Sequence, residues 1–283
     1  MKHCQHLLII HYNNPRALGR TLASYLAHGV APGRIHIFDN ASDAQSRNEL
    51  VGLELRHQVP IIYSDENLGW GRAINRFIAS RNWSEGDVLG ISAHDALLEK
   101  ADWAVLDDEF TDKTVLFICP QYPVPLQCEF SAARSFRCKP ANDIPRMETV
   151  VGHATLCFVR PIAIKQLRFD ESCFIYGCES EIFLRAHDAG YKTIITNRIV
   201  VVNPVTDSSS EFCGLAFGIN SLYIAKLRLG WRGYFVRVLA MAFSILRLAM
   251  HGKYAETASK RRAILFSLRS GGAGFNEYLN CKT

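Results

Sequence analysis

The sequence predicts an α/β fold: a mostly parallel central sheet flanked by helices, with a helical C-terminal tail. Three observations lead to it. Short apolar runs of strand length alternate with longer helical patterns through the first two hundred residues, the arrangement that builds a sheet with helices on both faces. The residues that follow those runs are unusually polar, as expected where strands end at a ligand crevice. Beyond Ser208 strand signals cease and the pattern stays helical. With 283 residues, 48% of them apolar, the chain has material for one large packed core, and the architecture expected is Rossmann-like.

In chain order, strands are predicted at His6 to His11, Ile35 to Asp39, Ile61 to Tyr63, Val88 to Ser92 and Val115 to Cys119. Helices are predicted from Pro15 to His28, where proline suits the first helical position, and from Gly69 to Arg81. Pro120 to Arg146 holds five of the ten prolines and little periodicity, so it reads as a loop excursion. A strand from Thr155 to Val159 resumes the sheet. The helix from Cys178 to Ala189 should stop at Gly190, a residue suited to a left-handed cap. Strands return at Thr193 to Thr196 and Ile199 to Val202, and the tail should break at Gly230, Gly233 and Gly252. Two regions are expected: 1–207, carrying the chemistry, and 208–283, a basic helical tail.

Charge is uneven. From Ser221 to Thr283 there are eleven Lys or Arg against two acids, a net of +9 that leaves the first 220 residues at −4 of the chain's +5. Such asymmetry argues against nucleic acid wrapped over the surface and for a polyanionic partner at one end, such as an anionic membrane surface. Nine cysteines without paired or metal-ligand spacing, and a start lacking a signal-peptide pattern, read as reduced thiols in the cytoplasm. Arg237 and Arg247 bracket the apolar run Val238 to Leu246, so a spanning helix is not expected. A helix from Tyr234 to Met250 with those arginines about 80° apart suits the plane of a membrane interface, arginines snorkelling, at the inner face of the cell membrane.

The strand ends supply candidate chemistry. The first runs into His11-Tyr12-Asn13-Asn14-Pro15 and the second into Asp39-Asn40-Ala41-Ser42, where Asp39 could accept from a base imide or a ribose hydroxyl, or could simply organise a turn. The third leads to Asn67-Leu68-Gly69-Trp70-Gly71-Arg72, a glycine turn opening a helix whose N-terminus could approach a phosphate or sugar. The fourth ends at His94-Asp95. A hard divalent cation on a diphosphate prefers carboxylate oxygen, which favours Asp95 over His94; alternatively Asp95 caps the next segment.

Taken in order and spacing, these strand ends resemble the family 2 inverting glycosyltransferases, whose fold is called type A. The likeness rests on Tyr12-Asn13, Asp39 to Ser42, Asn67 to Gly69 and Asp95. It continues through Val151-Gly152-His153-Ala154 and the stretch Phe169-Asp170-Glu171 to Tyr176-Gly177-Cys178-Glu179, ending near residue 205. The Lys-Arg-Arg segment before Gly271-Gly272 is most like the rhamnosyltransferases of bacterial surface polysaccharide assembly. Three departures stand out: Ala93 replaces the first acid of an Asp-x-Asp motif, Cys178-Glu179 replaces a Glu-Asp pair, and Asn203 falls near where many relatives place a metal-binding His.

The resemblance implies transfer of a sugar, with inversion, from a nucleoside diphosphate donor to a glycan or lipid-linked acceptor, with Mg or Mn as cofactor. Donor contacts would be Tyr12, Asn13, Asp39, Asn40, Asn67, Gly69, Arg72 and His94; the metal ligand Asp95; the base Glu179; acceptor contacts His153 and Glu181. On a helix Glu179 and Glu181 lie about 200° apart, so they cannot share a face, and Glu181 can pair with Arg185 four residues on. A rival reading is a non-catalytic binding or scaffold subunit that has lost its acids at Ala93 and Cys178.

Overall fold

The computed structural model describes residues 4–121, 126–131, 135–140, 145–203 and 210–281, and it has the α/β class. Four parallel strands, β1 (Cys4–His11), β2 (Ile35–Asp39), β3 (Ile61–Tyr63) and β4 (Val88–Ala93), form one half of the sheet. They are joined by α1 (Pro15–Ala27), α2 (Ala44–His57) and α3 (Gly69–Ala79). Asn14 caps α1 by accepting from the Ala17 amide, and Pro15 occupies the first turn, where its missing N–H costs nothing. Along β1 the side chains alternate: Leu7 and Ile9 face Leu18, Leu22 and Ile37, while Leu8 and Ile10 face Ile74, Phe77 and Ile182. Both faces are therefore buried, as a sheet covered on two sides requires.

His11 lies opposite Asp39, Asp39 opposite Tyr63, and Ile10 opposite Ala93, so these strands end on one line. The order β3-β2-β1-β4 sends the chain to one side of β1 and then back past it. That reversal opens a crevice between the ends of β1 and β4, the place where open α/β sheets bind ligands.

The second half comprises β5 (Leu97–Ala101), α4 (Ala104–Glu109), β6 (Val115–Gln121), β7 (Leu126–Ser131), β8 (Ser135–Pro140), β9 (Arg146–Thr149), β10 (Leu156–Val159), α5 (Pro161–Leu167), α6 (Cys178–Asp188) and β11 (Lys192–Val202). Here β10 runs antiparallel between β4 and β6, and β11 is parallel to β6 but antiparallel to β5 and β9. The stretch expected as a loop excursion contains an antiparallel hairpin, β7 with β8, and the edge strand β9; 122–125, 132–134 and 141–144 lie outside the described residues. The two strands expected at 193–196 and 199–202 are one, with a register shift between Thr196 and Val200 where Asn197 and Arg198 bulge out. Gly190 follows α6 at φ +85°, the left-handed cap expected of it. Cys119, Cys157, Cys173 and Cys178 are buried free thiols.

The tail holds α7 (Ser210–Met250), α8 (Tyr254–Arg269) and α9 (Phe275–Asn280). Gly230, at φ 64° and ψ −164°, breaks the helical path of α7. Arg237 donates to Ser221 Oγ, and Met241 Sδ lies 3.9 Å from the same oxygen. Pairings of residues whose numbers sum to about twice 230 mean that 231–250 doubles back along 210–229. Lys260 to Ser244 Oγ and Tyr234 to Ser267 Oγ show α8 returning antiparallel to 231–250, so the tail is an up-down-up bundle around Leu215, Ile219, Leu222, Tyr234 and Ala263. Gly252, at φ +70°, makes the second bend. Gly233, expected to break the helix, stays within it, where a Cβ would strike Leu229. Glu211–Met250 is long and apolar enough to cross a membrane by length and composition, but it is folded into this hairpin. Arg237 does not snorkel outward: it turns inward onto Ser221, and burial pushes its pKa down to about 10.

Candidate active site

At the end of β1, fully buried His11 accepts from the Asn14 amide at Nε2 (3.1 Å), which assigns the ring proton to Nδ1 and a hydrogen bond of 3.0 Å to Asp39 Oδ1. Asp39 Oδ2 accepts from the Ser42 amide (3.3 Å) and Arg47 Nε (3.1 Å). Burial alone would raise the Asp39 pKa, but hydrogen bonds from His11 and Ser42 outweigh it and hold the carboxyl below the usual range. Asp39 is thus an ionised, 0% exposed buttress beneath the crevice. Above it stand Tyr12, 45% exposed, and exposed Asn13. Asn13, at φ +49°, ties the loop to the next one by donating to Ser42 Oγ (2.9 Å) and accepting from the Asp43 amide (2.7 Å).

Asn40 uses its whole side-chain amide on the third loop: Nδ2 donates to Gly69 O (3.1 Å) and Oδ1 accepts from Leu68 N (2.8 Å). Asn67 accepts from Gly69 N at 3.0 Å, an Asx turn. Gly69 sits at φ +72°, and a Cβ there would strike the Phe174 carbonyl, which accepts from Trp70 N at 2.6 Å; glycine is required twice over. Of the donor candidates on this loop, Arg72 is the one that stays open, half exposed in the first turn of α3 beside Glu66 (3.4 Å) and Glu171 (3.7 Å).

The turn after β4 presents half-buried His94 and Asp95. The His94 ring stands edge-on to that of His11, centroids 5.5 Å apart, across the mouth of the crevice. Among the described residues no three His, Cys, Asp or Glu side chains converge as a metal site. The donor chemistry nevertheless fits a cation shared with a substrate. Val202 pairs with Leu97, bringing Asn203 alongside the His94-Asp95 turn, and Asn203 Oδ1 is buried with no hydrogen-bond partner among the described residues. One carboxylate and one orphaned amide oxygen suit a hard divalent ion whose other ligands are diphosphate oxygens and water.

From the other direction, the Ala93 amide donates to Thr155 O at 2.8 Å, so the segment before β10 enters at the same line of strand ends. His153, two residues earlier, accepts at Nδ1 from Thr155 N (3.2 Å) and faces Thr155 Oγ1 at 2.8 Å. It reaches solvent yet is walled closely enough that desolvation lowers its pKa, against the opposing charge of nearby Glu179. Glu179, half buried in the first turn of α6, accepts at Oε2 from Gly177 N (3.0 Å) and Cys178 Sγ (3.4 Å), a placement the helix dipole favours. The structure therefore sets Glu179 near His153, and enters the segment carrying His153 beside the strand that ends at the His94-Asp95 turn.

Glu181, expected as an acceptor contact, is paired with Arg185 in the structure. It is 1% exposed, and burial raises its pKa although Arg185 opposes with hydrogen bonds of 2.6 and 2.8 Å. Arg185 also donates to the carbonyls of Leu167 and Arg168, so the pair fastens α6 to the end of α5.

Sequence reasoning did not select His11, Asn75 or Asn220. Asn75, on the buried side of α3, donates to Phe169 O (2.9 Å) and Glu171 Oε1 (3.1 Å) and accepts from Phe169 N (2.9 Å). Asn220, in α7, donates to the carbonyls of Cys173, Ile175 and Tyr176 at 2.8, 2.8 and 2.9 Å. The available signal was a lone amide inside an otherwise apolar helical face, Ala73-Ile74-Asn75 and Gly218-Ile219-Asn220, since a buried amide needs partners to satisfy.

The model of the family described as glycosyl transferase family 2 matches residues 7–165. No curated protein sequence gives a significant match. Among solved structures, GalNAc-T7 with UDP, GalNAc and Mn2+ superposes with a TM-score of 0.63 at 14% identity, over 79% of this chain and 48% of that one; the chain spans about half its length. The mannosyltransferase PcManGT from Pyrobaculum calidifontis, in complex with GDP-Man and Mn2+, superposes with a TM-score of 0.59 at 13% identity, over 94% and 87% of the two chains. At such identities the likeness is one of fold. The family match takes in every strand end of the crevice from β1 to β4 and more than half of the sequence, and the chain belongs to glycosyl transferase family 2.

Proposed function

We propose that the protein transfers a sugar, with inversion at the anomeric carbon, from a nucleoside diphosphate donor to a hydroxyl of a lipid-linked or polysaccharide acceptor. What supports this reading is Glu179 close enough to His153 to act on its charge, and the Ala93 amide, next to the His94-Asp95 turn, bonded to the carbonyl of Thr155 two residues after His153. The acceptor oxygen attacks the anomeric carbon, the bond to the diphosphate breaks with its electron pair on the leaving group, and Glu179 takes the acceptor proton. His153 borders the acceptor hydroxyl. Tyr12, Asn13 and Arg72 contact the donor, while Asp39, Asn40, Asn67 and Gly69 hold the loops that shape its pocket. Asp95 and Asn203, with His94 beside them, would hold a divalent cation, which when bound neutralises charge on the diphosphate. The solved relatives with UDP or GDP-Man and Mn2+ support a nucleotide donor and a cation. By its resemblance, the acceptor class we assign is a glycan of bacterial surface polysaccharide or lipopolysaccharide assembly.

Glu179→Gln tests the reading, because glutamine keeps an oxygen for the Gly177 amide. The expected outcome is a fall in kcat on the order of 10²- to 10⁴-fold with donor affinity unchanged. In a thermal-shift series with UDP, dTDP, GDP and CDP, one nucleotide should stabilise the wild type in a metal-dependent way that Asp95→Ala abolishes. Silence with every nucleotide, with or without Mn²⁺, would favour the scaffold reading instead.

A further inference from the structure

The 231–250 half of α7 is two-sided. Its inner side packs into the bundle through Tyr234 and Met241, with Arg237 turned onto Ser221. On the outer side Trp231, Phe235, Leu239, Phe243, Leu246 and Met250 fall within about 120° of the helix circumference at about 100° per residue. Every one of these is at least half exposed: 52, 52, 69, 72, 64 and 77% in that order. The stripe runs the full 20 residues, about 30 Å, and is far longer than scattered surface apolar residues account for.

Its surroundings are cationic. Arg232 and Arg247 are exposed on this half, Lys253 follows at the bend, and α8 exposes Arg261 and Arg269 beside Leu265 and Leu268. The tail from Ser221 carries +9 against −4 for the rest of the chain. Two occupants would cover an apolar stripe of this kind, a second copy of the chain or a lipid surface. A second copy brings one arginine-rimmed face against another, whereas an anionic bilayer matches both the stripe and its rim.

We propose that the outer face of 231–250 docks in the headgroup region of an anionic bilayer, lying in the interface and not crossing it, because its inner side is held by the bundle. Asn220, on the preceding half of the same hairpin, fastens the loop that leads to Glu179. Docking therefore places the crevice at a fixed position relative to the lipid surface. The proposal stands on the exposed face and its charge, apart from the transfer reading.

The test is flotation of the full chain with vesicles of phosphatidylcholine alone and of phosphatidylcholine with phosphatidylglycerol. Wild type should float with the anionic vesicles, less with the neutral ones, and less as salt is raised. The double variant Leu239→Glu, Phe243→Glu changes two side chains that touch little of the bundle and should partition at least about tenfold more weakly, with unchanged circular dichroism, melting temperature and nucleotide-induced thermal shift. Arg232→Glu with Arg247→Glu should weaken binding to anionic vesicles alone. Wild type that floats with neither vesicle type overturns the proposal, and a dimer by sedimentation that the apolar double variant splits assigns the face to a second copy.

Discussion

Asn220 is buried at 0% exposure, and both ends of its amide are engaged: three carbonyls of the 173–176 loop accept from Nδ2, and Oδ1 accepts from the Phe275 amide at 2.9 Å. The loop needs such restraint. Phe174 and Tyr176 sit at φ +55° and +54°, conformations that cost non-glycine residues on the order of 1 to 3 kcal/mol each. Phe174 O in turn receives the Trp70 amide at the start of α3, so one side chain in the tail sets the loop between α3 and α6. Asn220→Ala leaves the Phe275 N–H and buried carbonyls unsatisfied, and should destabilise the protein by about 2 to 4 kcal/mol. Thermal unfolding measures that loss. A purely structural role would stop there; a positioning role adds faster amide exchange confined at first to 173–177 and a lower kcat at unchanged donor affinity. Equal stability with and without the amide would show that the loop holds itself.

At the scale of elements, the bend of α7 depends on backbone conformation alone. Nothing lies within 4 Å of where a Gly230 Cβ would stand, so the cost of Gly230→Ala is that of forcing alanine to φ 64° and ψ −164°, about 1 to 3 kcal/mol. Gly233→Ala differs in kind: its φ is ordinary and its Cβ would strike Leu229. Calorimetry should find both variants less stable, and removing the opposing Cβ with Leu229→Gly should recover part of the loss in Gly233→Ala but none of it in Gly230→Ala. Rescue of both, or of neither, would contradict this division. The two glycines also show what a sequence can convey. Both read as breaks, because what separates them is a neighbour one turn away, not composition. The parallel strands were legible to the residue at Ile35–Asp39, buried along its whole length, and at Ile61–Tyr63, half-buried at the sheet edge, because each is an unbroken apolar run closed by a polar turn. Edge pieces such as β5 and β9 were not, since one flank of each is solvated and carries Glu, Lys or Arg. Within the site, Glu179 and His153 could be named from motif order. His11 could not, because a histidine closing an apolar strand looks like core until its neighbour across the ladder proves to be Asp39.

Over the whole molecule, hydrogen bonds, ion pairs and packing cross the division at residue 207 that the sequence suggests. The family match stops at 165, yet the segment that follows, through Glu179, is held from the far side of that division. Tyr223 donates to Asp170 Oδ2 at 2.6 Å, Arg228 pairs with Asp188 at 2.5 Å, Asn220 grips the 173–176 carbonyls, and Gly274 approaches Ser172 so closely that a Cβ would strike its carbonyl. Phe275 packs on Phe174, ring centroids 6.4 Å apart. A chain ending at residue 207 loses all of these together and exposes Cys173, Ile175 and the buried side of the loop to water. Its strands β1 to β4 keep their own cores, so the expected product is a partly folded protein: sheet retained by circular dichroism, nucleotide-induced stabilisation weakened, protease cleavage concentrated between 168 and 178, and no transfer. Limited proteolysis with mass spectrometry, beside the intact chain, decides it. A truncated chain as resistant as the intact one through 168–178, and melting within about 3 °C of it, would mean the bundle is an appended docking module. Cleavage at that loop would mean the basic helices are part of the catalytic unit, so that whatever surface they bind is coupled mechanically to the loop in front of Glu179.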